Sequence, residues 1–239
     1  MKQLSSRKWF PSCHRWAIIA AILAAAFLIS CTAKPPAAVS VPTSGPQFAL
    51  ALVPGPEYKT TTRWFIFTVP ITPQIACWLE TPDGKYIATI FVTAKGAKKA
   101  WMSAPAGGRP EALPVWFHIQ SHETVSADGV SGASPGGEFH KTFSLPEGLK
   151  PGRYIARLEI NRSYDYNETY TKANAGVTGQ PSLIYSCEIT VGSGASLGVF
   201  APIGTGSLDG SDGNIRPGLK GITTALNLLQ SAEIRYLED

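Results

Sequence analysis

No phosphate-binding Gly-Lys loop, no His-Glu-x-x-His pair, no internal repeat and no sustained heptad occurs in this chain. Those absences exclude P-loop nucleotide hydrolysis, the common zinc-protease helix, solenoids and coiled coils. No nucleophile–base pair stands out either, so hydrolase or metalloenzyme chemistry ranks last and the chain reads as a non-enzyme. Acidic residues are missing altogether from the first thirty positions, where Lys2, Arg7, Lys8 and Arg15 stand. Cysteine is scarce, with four in 239 residues.

The acid-free start has a specific form. After the four cations comes an apolar run, residues 16–29, ending in Leu28-Ile29-Ser30-Cys31. A basic segment, a short apolar segment and small residues before a cut make a secretory signal over residues 1–30. The run is shorter than the ~20 residues a spanning helix needs. Leu-Ile-Ser-Cys resembles the bacterial lipobox, which implies cleavage before Cys31 and acylation of its thiol. Two or more acyl chains anchor a protein stably where one does not. The resemblance therefore implies a lipoprotein such as a palmitate-bearing one, held on the extracytoplasmic side of a membrane. Thr32 after the cysteine, where Asp would signal retention, resembles outer-membrane sorting, facing the periplasm in a Gram-negative cell. An ordinary signal peptide and an uncleaved anchor are the alternatives.

Removal of the signal changes the charge. The net +4 resides in the four cations that leave, and 17 Lys/Arg then face 17 Asp/Glu. A balanced domain lacks the basic footprint of a nucleic-acid binder, so no nucleic-acid partner is expected. Cys13 leaves with the signal and Cys31 carries lipid, which leaves Cys77 and Cys187. Outside the cytosol disulfides persist. The two cysteines therefore read either as a bridge between strands or as two separately buried thiols.

Residues 31–47 read as a Pro-rich tether, with four prolines and no aromatic from Lys34 onward. From Phe48 onward, short β-branched and aromatic runs alternate with Pro/Gly punctuation. The runs fall at 48–53, 63–69, 75–80, 86–93, 115–119, 140–145, 153–161 and 183–191. This predicts an all-β, immunoglobulin-like antiparallel β-sandwich over 48–239 as a single enlarged domain. Its core spans about 48–192, with a glycine-rich extension over 193–239 that closes on a short helix or strand at 222–230 and a strand at 233–237. Within 153–161, Tyr154, Ala156, Leu158 and Ile160 alternate with Arg153, Ile155, Arg157 and Glu159, a period of two with one wet face. Pro151-Gly152-Arg153-Tyr154 turns the chain and feeds an aromatic into the sheet.

One stretch carries candidate chemistry. Asp128-Gly129-Val130-Ser131-Gly132-Ala133-Ser134 resembles the acceptor signature of FAD:protein FMN transferases, in which the last hydroxyl is esterified to FMN phosphate. That resemblance implies covalent FMN at Ser134, with Asp128, Ser131, Gly132 and Ala133 completing the motif. Small, flexible positions before the nucleophile suit a loop that enters another enzyme's active site. A Gly/Ser-rich turn opened by Asp128 is the alternative. His118 and His122 are four apart, a metal pair if helical. The segment at 115–119 looks extended, however, and reads as surface histidines, so no metal is assigned. Asp209, Asp212 and Asn214 lack the spacing of an EF-hand loop and read as a turn.

The chain is similar to a bacterial family of predicted periplasmic proteins, domain-of-unknown-function family 2271. The similarity rests on residues 73–80, 83–87, 128–135, 151–154, 163–167 and 174–183, in that order. It implies a secreted or lipid-anchored binding or accessory module without its own catalysis. It also implies neighbours in a membrane-associated redox or metal-handling system, among them FAD:protein FMN transferase and PepSY-type membrane redox proteins.

Overall fold

Alternation sets the first strand. Phe48, Leu50 and Leu52 of β1 (Gln47–Pro54) point inward and are essentially unexposed, while their neighbours are half-exposed. A computed structural model describes residues 45–98, 108–122 and 131–238. In it, β1 lies inside a four-stranded sheet, between β7 (Phe139–Ser144) and β13 (Leu229–Leu237), with β10 (Ser196–Val199) at the edge beyond β13. The second sheet has seven strands. In its interior β4 (Gln74–Glu80) is flanked by β5 (Tyr86–Thr93) and by β8 (Gly152–Asn161), the central strand. Outside β5 lies β6 (Ser131–Gly132); outside β8 lie β9 (Leu183–Val191), β11 (Ala201–Thr205) and β12 (Arg216–Pro217). All pairings are antiparallel except β5 with β6.

The two sheets bury one core between them, with Phe48, Leu50, Ile234 and Tyr236 from one and Ile75, Leu79, Leu158 and Leu183 from the other. Each such side chain, once fully buried, contributes about 2 kcal/mol of transfer free energy. A second, smaller cluster lies on the outer face of the larger sheet. There Trp78, Val92 and Ile184 meet Leu113, Val115 and Trp116. This explains why all seven residues of β4 are buried. The chain is all-β, with the few helices serving as covers.

Four sequence expectations are corrected. Residues 115–119 are not extended; they belong to helix α2 (Pro114–His122), which follows α1 (Ala94–Lys98). Pro114 occupies its first position, where proline's fixed φ and missing N–H suit a helix. Helix α2 also dries one end of the β8 face expected to be wet: Glu159 is fully buried, while Arg153 stays exposed and Ile155 and Arg157 are half-buried. The run at 63–69 is not one strand but the turn of a hairpin, β2 (Thr60–Trp64) and β3 (Phe67–Ile71), with Phe65-Ile66 as its loop. Residues after 192 are no appendage, since β13 pairs with β1 along its whole length and β10 pairs with β13.

Of the two readings open for the cysteines, the structure has separate thiols, since both are free. Cys77 pairs with Leu158 and Cys187 with Ala156, so β8 runs between them. Two inter-strand spacings separate their backbones by about 9.6 Å, beyond the ~7 Å limit for a disulfide. Burial pushes the Cys187 thiol up to about 12 and the Cys77 thiol well above its usual range. Tyr154, by contrast, enters the sheet as the Pro-Gly turn suggests, and its hydroxyl donates to the Lys150 carbonyl at 2.7 Å.

Candidate functional site

The β2–β3 hairpin stands away from both sheets and forms one wall of a groove. The opposite wall is the turn after β8. Arg162 is buried there, donating to Asp165 Oδ1 at 2.6 Å and to the Glu57 carbonyl. Asp165 Oδ1 also accepts from Thr224 Oγ1 at 2.6 Å. Gly179 packs so tightly on the Asp165 backbone, at φ +74°, that a Cβ would lie 2.5 Å from its carbonyl oxygen. This network fixes Ser163, Tyr164 and Tyr166 as a rigid platform. Tyr164 is held at φ +63°, a conformation that non-glycine residues rarely adopt.

The groove has two adjoining openings that share Thr62 and Tyr164, of about 200 and 400 Å³. Its cations are Arg63, Lys95, Arg109 and Lys172, and among the described residues no carboxylate lines either opening. Arg109 is mostly buried. Its Nε donates to Glu111 Oε1 at 2.7 Å and its Nη1 to Ser163 Oγ at 3.1 Å. Its Nη2 is buried with no partner among the described residues. A buried guanidinium nitrogen without an acceptor is costly. Tyr164 and Tyr166 meet edge-on at 6.5 Å between centroids. Burial and the neighbouring Tyr164 raise the Tyr166 hydroxyl above its usual range, against the pull of Arg109. Cations beside aromatic faces suit an anionic ligand that also offers apolar or ring surface.

Ser134 lies beside this groove. Gln74, which lines it, donates from Nε2 to Ser134 Oγ at 3.3 Å, and Thr93 Oγ1 donates to Gln74 Oε1 at 2.8 Å. The loop is fastened at both ends. Ser131 and Gly132 pair with Val92 and Thr93, and the Pro135 carbonyl accepts from the Tyr58 hydroxyl at 3.0 Å. A Cβ on Gly132 would stand 3.1 Å from the Phe91 ring. Ala133 is exposed and Ser134 half-buried. Asp128 lies outside the described residues, as do the signal, Cys31 and the tether up to residue 44, whereas Gln47, read as tether, opens β1.

His118 sits on α2, apart from the groove, with Nε2 3.0 Å from the Gly210 carbonyl oxygen. The helix puts His118 and His122 four residues apart on one element, but the His122 side chain lies outside the described residues. Among the described residues no group of three metal-ligating side chains converges. Asp209 accepts from Ser207 Oγ at 2.6 Å and Ser211 N at 3.0 Å, the turn role expected of it.

Two further features bear on the chemistry of the chain. Gly132-Ala133-Ser134-Pro135-Gly136 and Gly194-Ala195-Ser196-Leu197-Gly198 have nucleophile-elbow spacing, yet neither serine stands at a strand-to-helix turn. Ser196 instead donates to the Thr190 carbonyl at 2.5 Å. The other is Glu159. Its carboxylate accepts from Val115 N (3.2 Å), Trp116 N (2.8 Å) and Ser182 Oγ (2.7 Å), capping α2 from another strand. Burial outweighs those three donors and pushes the carboxyl up to about 7.

No family model, no curated protein and no solved structure matches the chain. Among the described residues no helix is long and apolar enough to cross a membrane.

Proposed function

We propose that this protein is a lipid-anchored, extracytoplasmic binding module without catalysis of its own, whose binding face is the groove beside the β2–β3 hairpin. In this reading Cys31 carries the lipid, residues 31–46 are the tether, and the sandwich is immunoglobulin-like and faces the periplasm. The resemblance to family 2271 supports a place in a membrane-associated redox or metal-handling system. The observation that carries the binding role is the cationic groove, lined by no carboxylate among the described residues, beside a buried Arg109 Nη2 that has no partner among them. It suits a phosphate- or carboxylate-bearing ligand. The test is thermal unfolding of the mature chain with inorganic pyrophosphate. A binder of the native state raises the midpoint with concentration, and Lys95→Gln should reduce the rise. An unmoved midpoint up to millimolar pyrophosphate would count against the reading.

A second reading is a covalent FMN carrier, flavinylated at Ser134 by an FAD:protein FMN transferase and passing electrons to a PepSY-type partner. The position of Ser134 Oγ against Gln74, itself in the groove, favours it. The fastening of the loop favours the non-covalent module. Intact mass after export alongside a competent transferase separates the two. An FMN-sized increment lost in Ser134→Ala establishes the carrier.

A further inference from the structure

The hairpin that walls the groove ends in Trp64-Phe65-Ile66-Phe67. Phe65, Ile66 and Phe67 are 94%, 81% and 68% exposed. Runs of large apolar residues in water are faults unless something covers them. The backbone does not ask for them either. Phe65 sits at φ +52° in a two-residue hairpin loop, where Gly or Asn is the usual choice. An aromatic that neither packs nor suits its own turn is retained for another contact.

The shape and charge of the hairpin select that contact. The tip is convex and two residues wide, which suits insertion into a soft apolar phase. From Tyr58 to Pro73 the chain has two cations, Lys59 and Arg63, and no acid. Threonines occupy most of the remaining rungs, as expected of a segment passing from hydrocarbon to headgroups. Thr62, on the groove wall, is three residues from Phe65, about 10 Å along the strand. Apolar faces of interfacial helices bury about 5–10 Å into the headgroup–acyl boundary. A tip inserted to that depth sets the groove, with Arg63, Lys95, Arg109 and Lys172, at the headgroup level.

We propose that the β2–β3 hairpin inserts its tip into the bilayer and presents the cationic groove to anionic phospholipid headgroups. The proposal rests on the anion-binding reading of the groove and names its ligand. The tether allows it. The seventeen residues from Cys31 to Gln47 reach up to about 55 Å. One eight-residue strand and the hairpin arms together span under about 45 Å.

The test uses the mature full chain with Ile66→Cys carrying an environment-sensitive fluorophore. It is mixed with vesicles of phosphatidylcholine alone, or with phosphatidylglycerol added, each with and without acyl-chain spin labels. A second reporter, Leu197→Cys, sits half-exposed on β10, level with Ala49 of β1. The expected result is a blue shift and quenching at Ile66, absent at Leu197, and stronger with phosphatidylglycerol. Arg63→Gln should weaken the anionic preference about fivefold and leave quenching in phosphatidylcholine unchanged.

Acylation is read separately, by intact mass, and pyrophosphate binding reports the groove independently of the tip. Quenching on unacylated protein still upholds the proposal. An Ile66 label that stays in water with both vesicles, acylated or not, overturns it and assigns the tip to a protein partner. Quenching at Leu197 without Ile66 overturns it as well.

Discussion

Tyr58 donates its hydroxyl to the carbonyl of Pro135, 3.0 Å away and 77 residues along the chain. This bond ties the loop that ends in Ser134 to the start of the hairpin segment. Burial raises the Tyr58 hydroxyl to about 12, so it remains a donor throughout the physiological range. Tyr58→Phe is expected to cost about 1 kcal/mol of stability and to raise hydrogen exchange locally around residues 131–135. Exchange that changes nowhere near this loop would show that the bond does not restrain it.

Glu159 makes stability depend on pH in an unusual direction. Its folded-state pKa is raised to about 7 by burial. Between the ordinary carboxylate range and about 7, the unfolded chain therefore binds fewer protons than the folded one. Stability falls as pH rises through that window and levels off above it. Chemical denaturation across pH 4–8 should show this slope, flattened in Glu159→Gln. Glu159→Ala strands the Val115 and Trp116 amides and is expected to cost about 3 kcal/mol at pH 5. A variant as stable as the parent would refute the capping role.

Phe65→Gly places the turn residue that the hairpin backbone favours at φ +52°. It is expected to stabilise the fold or leave it unchanged, by up to about 1 kcal/mol, and to weaken vesicle contact. Loss of stability on this change would mean that Phe65 packs, against its 94% exposure.

The two thiols offer a simple check. With β8 between Cys77 and Cys187, the exported protein should run identically with and without reductant. It should yield no linked peptide on non-reducing digestion.

The strands most legible in the sequence were those bounded by explicit turns. β5 and β9 match their runs residue for residue, because Pro82-Asp83-Gly84 and Gly192 punctuate them. Helix α2 was illegible because Val115, Trp116, Phe117 and Ile119 favour strands, and its cap comes from Glu159, 44 residues away from Val115. The hairpin was missed because its loop carries Phe and Ile where turn chemistry expects Gly or Asn. The groove is assembled from Arg63, Lys95, Arg109, Tyr164 and Lys172, which no local pattern links. Ser134 was visible as a motif, but its fastening by Gln74 and Tyr58 depends on tertiary pairing. The Cys77–Cys187 question turned on strand order, which composition does not encode.

The groove makes the central claim, and equilibrium binding tests it most directly. FMN and riboflavin share a ring system and differ in the phosphate. Each would be titrated into the mature chain at low and high salt, followed by flavin fluorescence, with pyrophosphate as competitor. The account predicts that FMN binds, that riboflavin binds at least tenfold more weakly, and that added salt and pyrophosphate weaken FMN. Arg109→Gln should cost about ten- to a hundredfold, as for a hydrogen bond to a charged group. Lys95→Gln, at a more exposed site, should cost a few-fold. Equal binding of the two flavins, indifferent to salt and to both substitutions, would contradict an anion-binding groove.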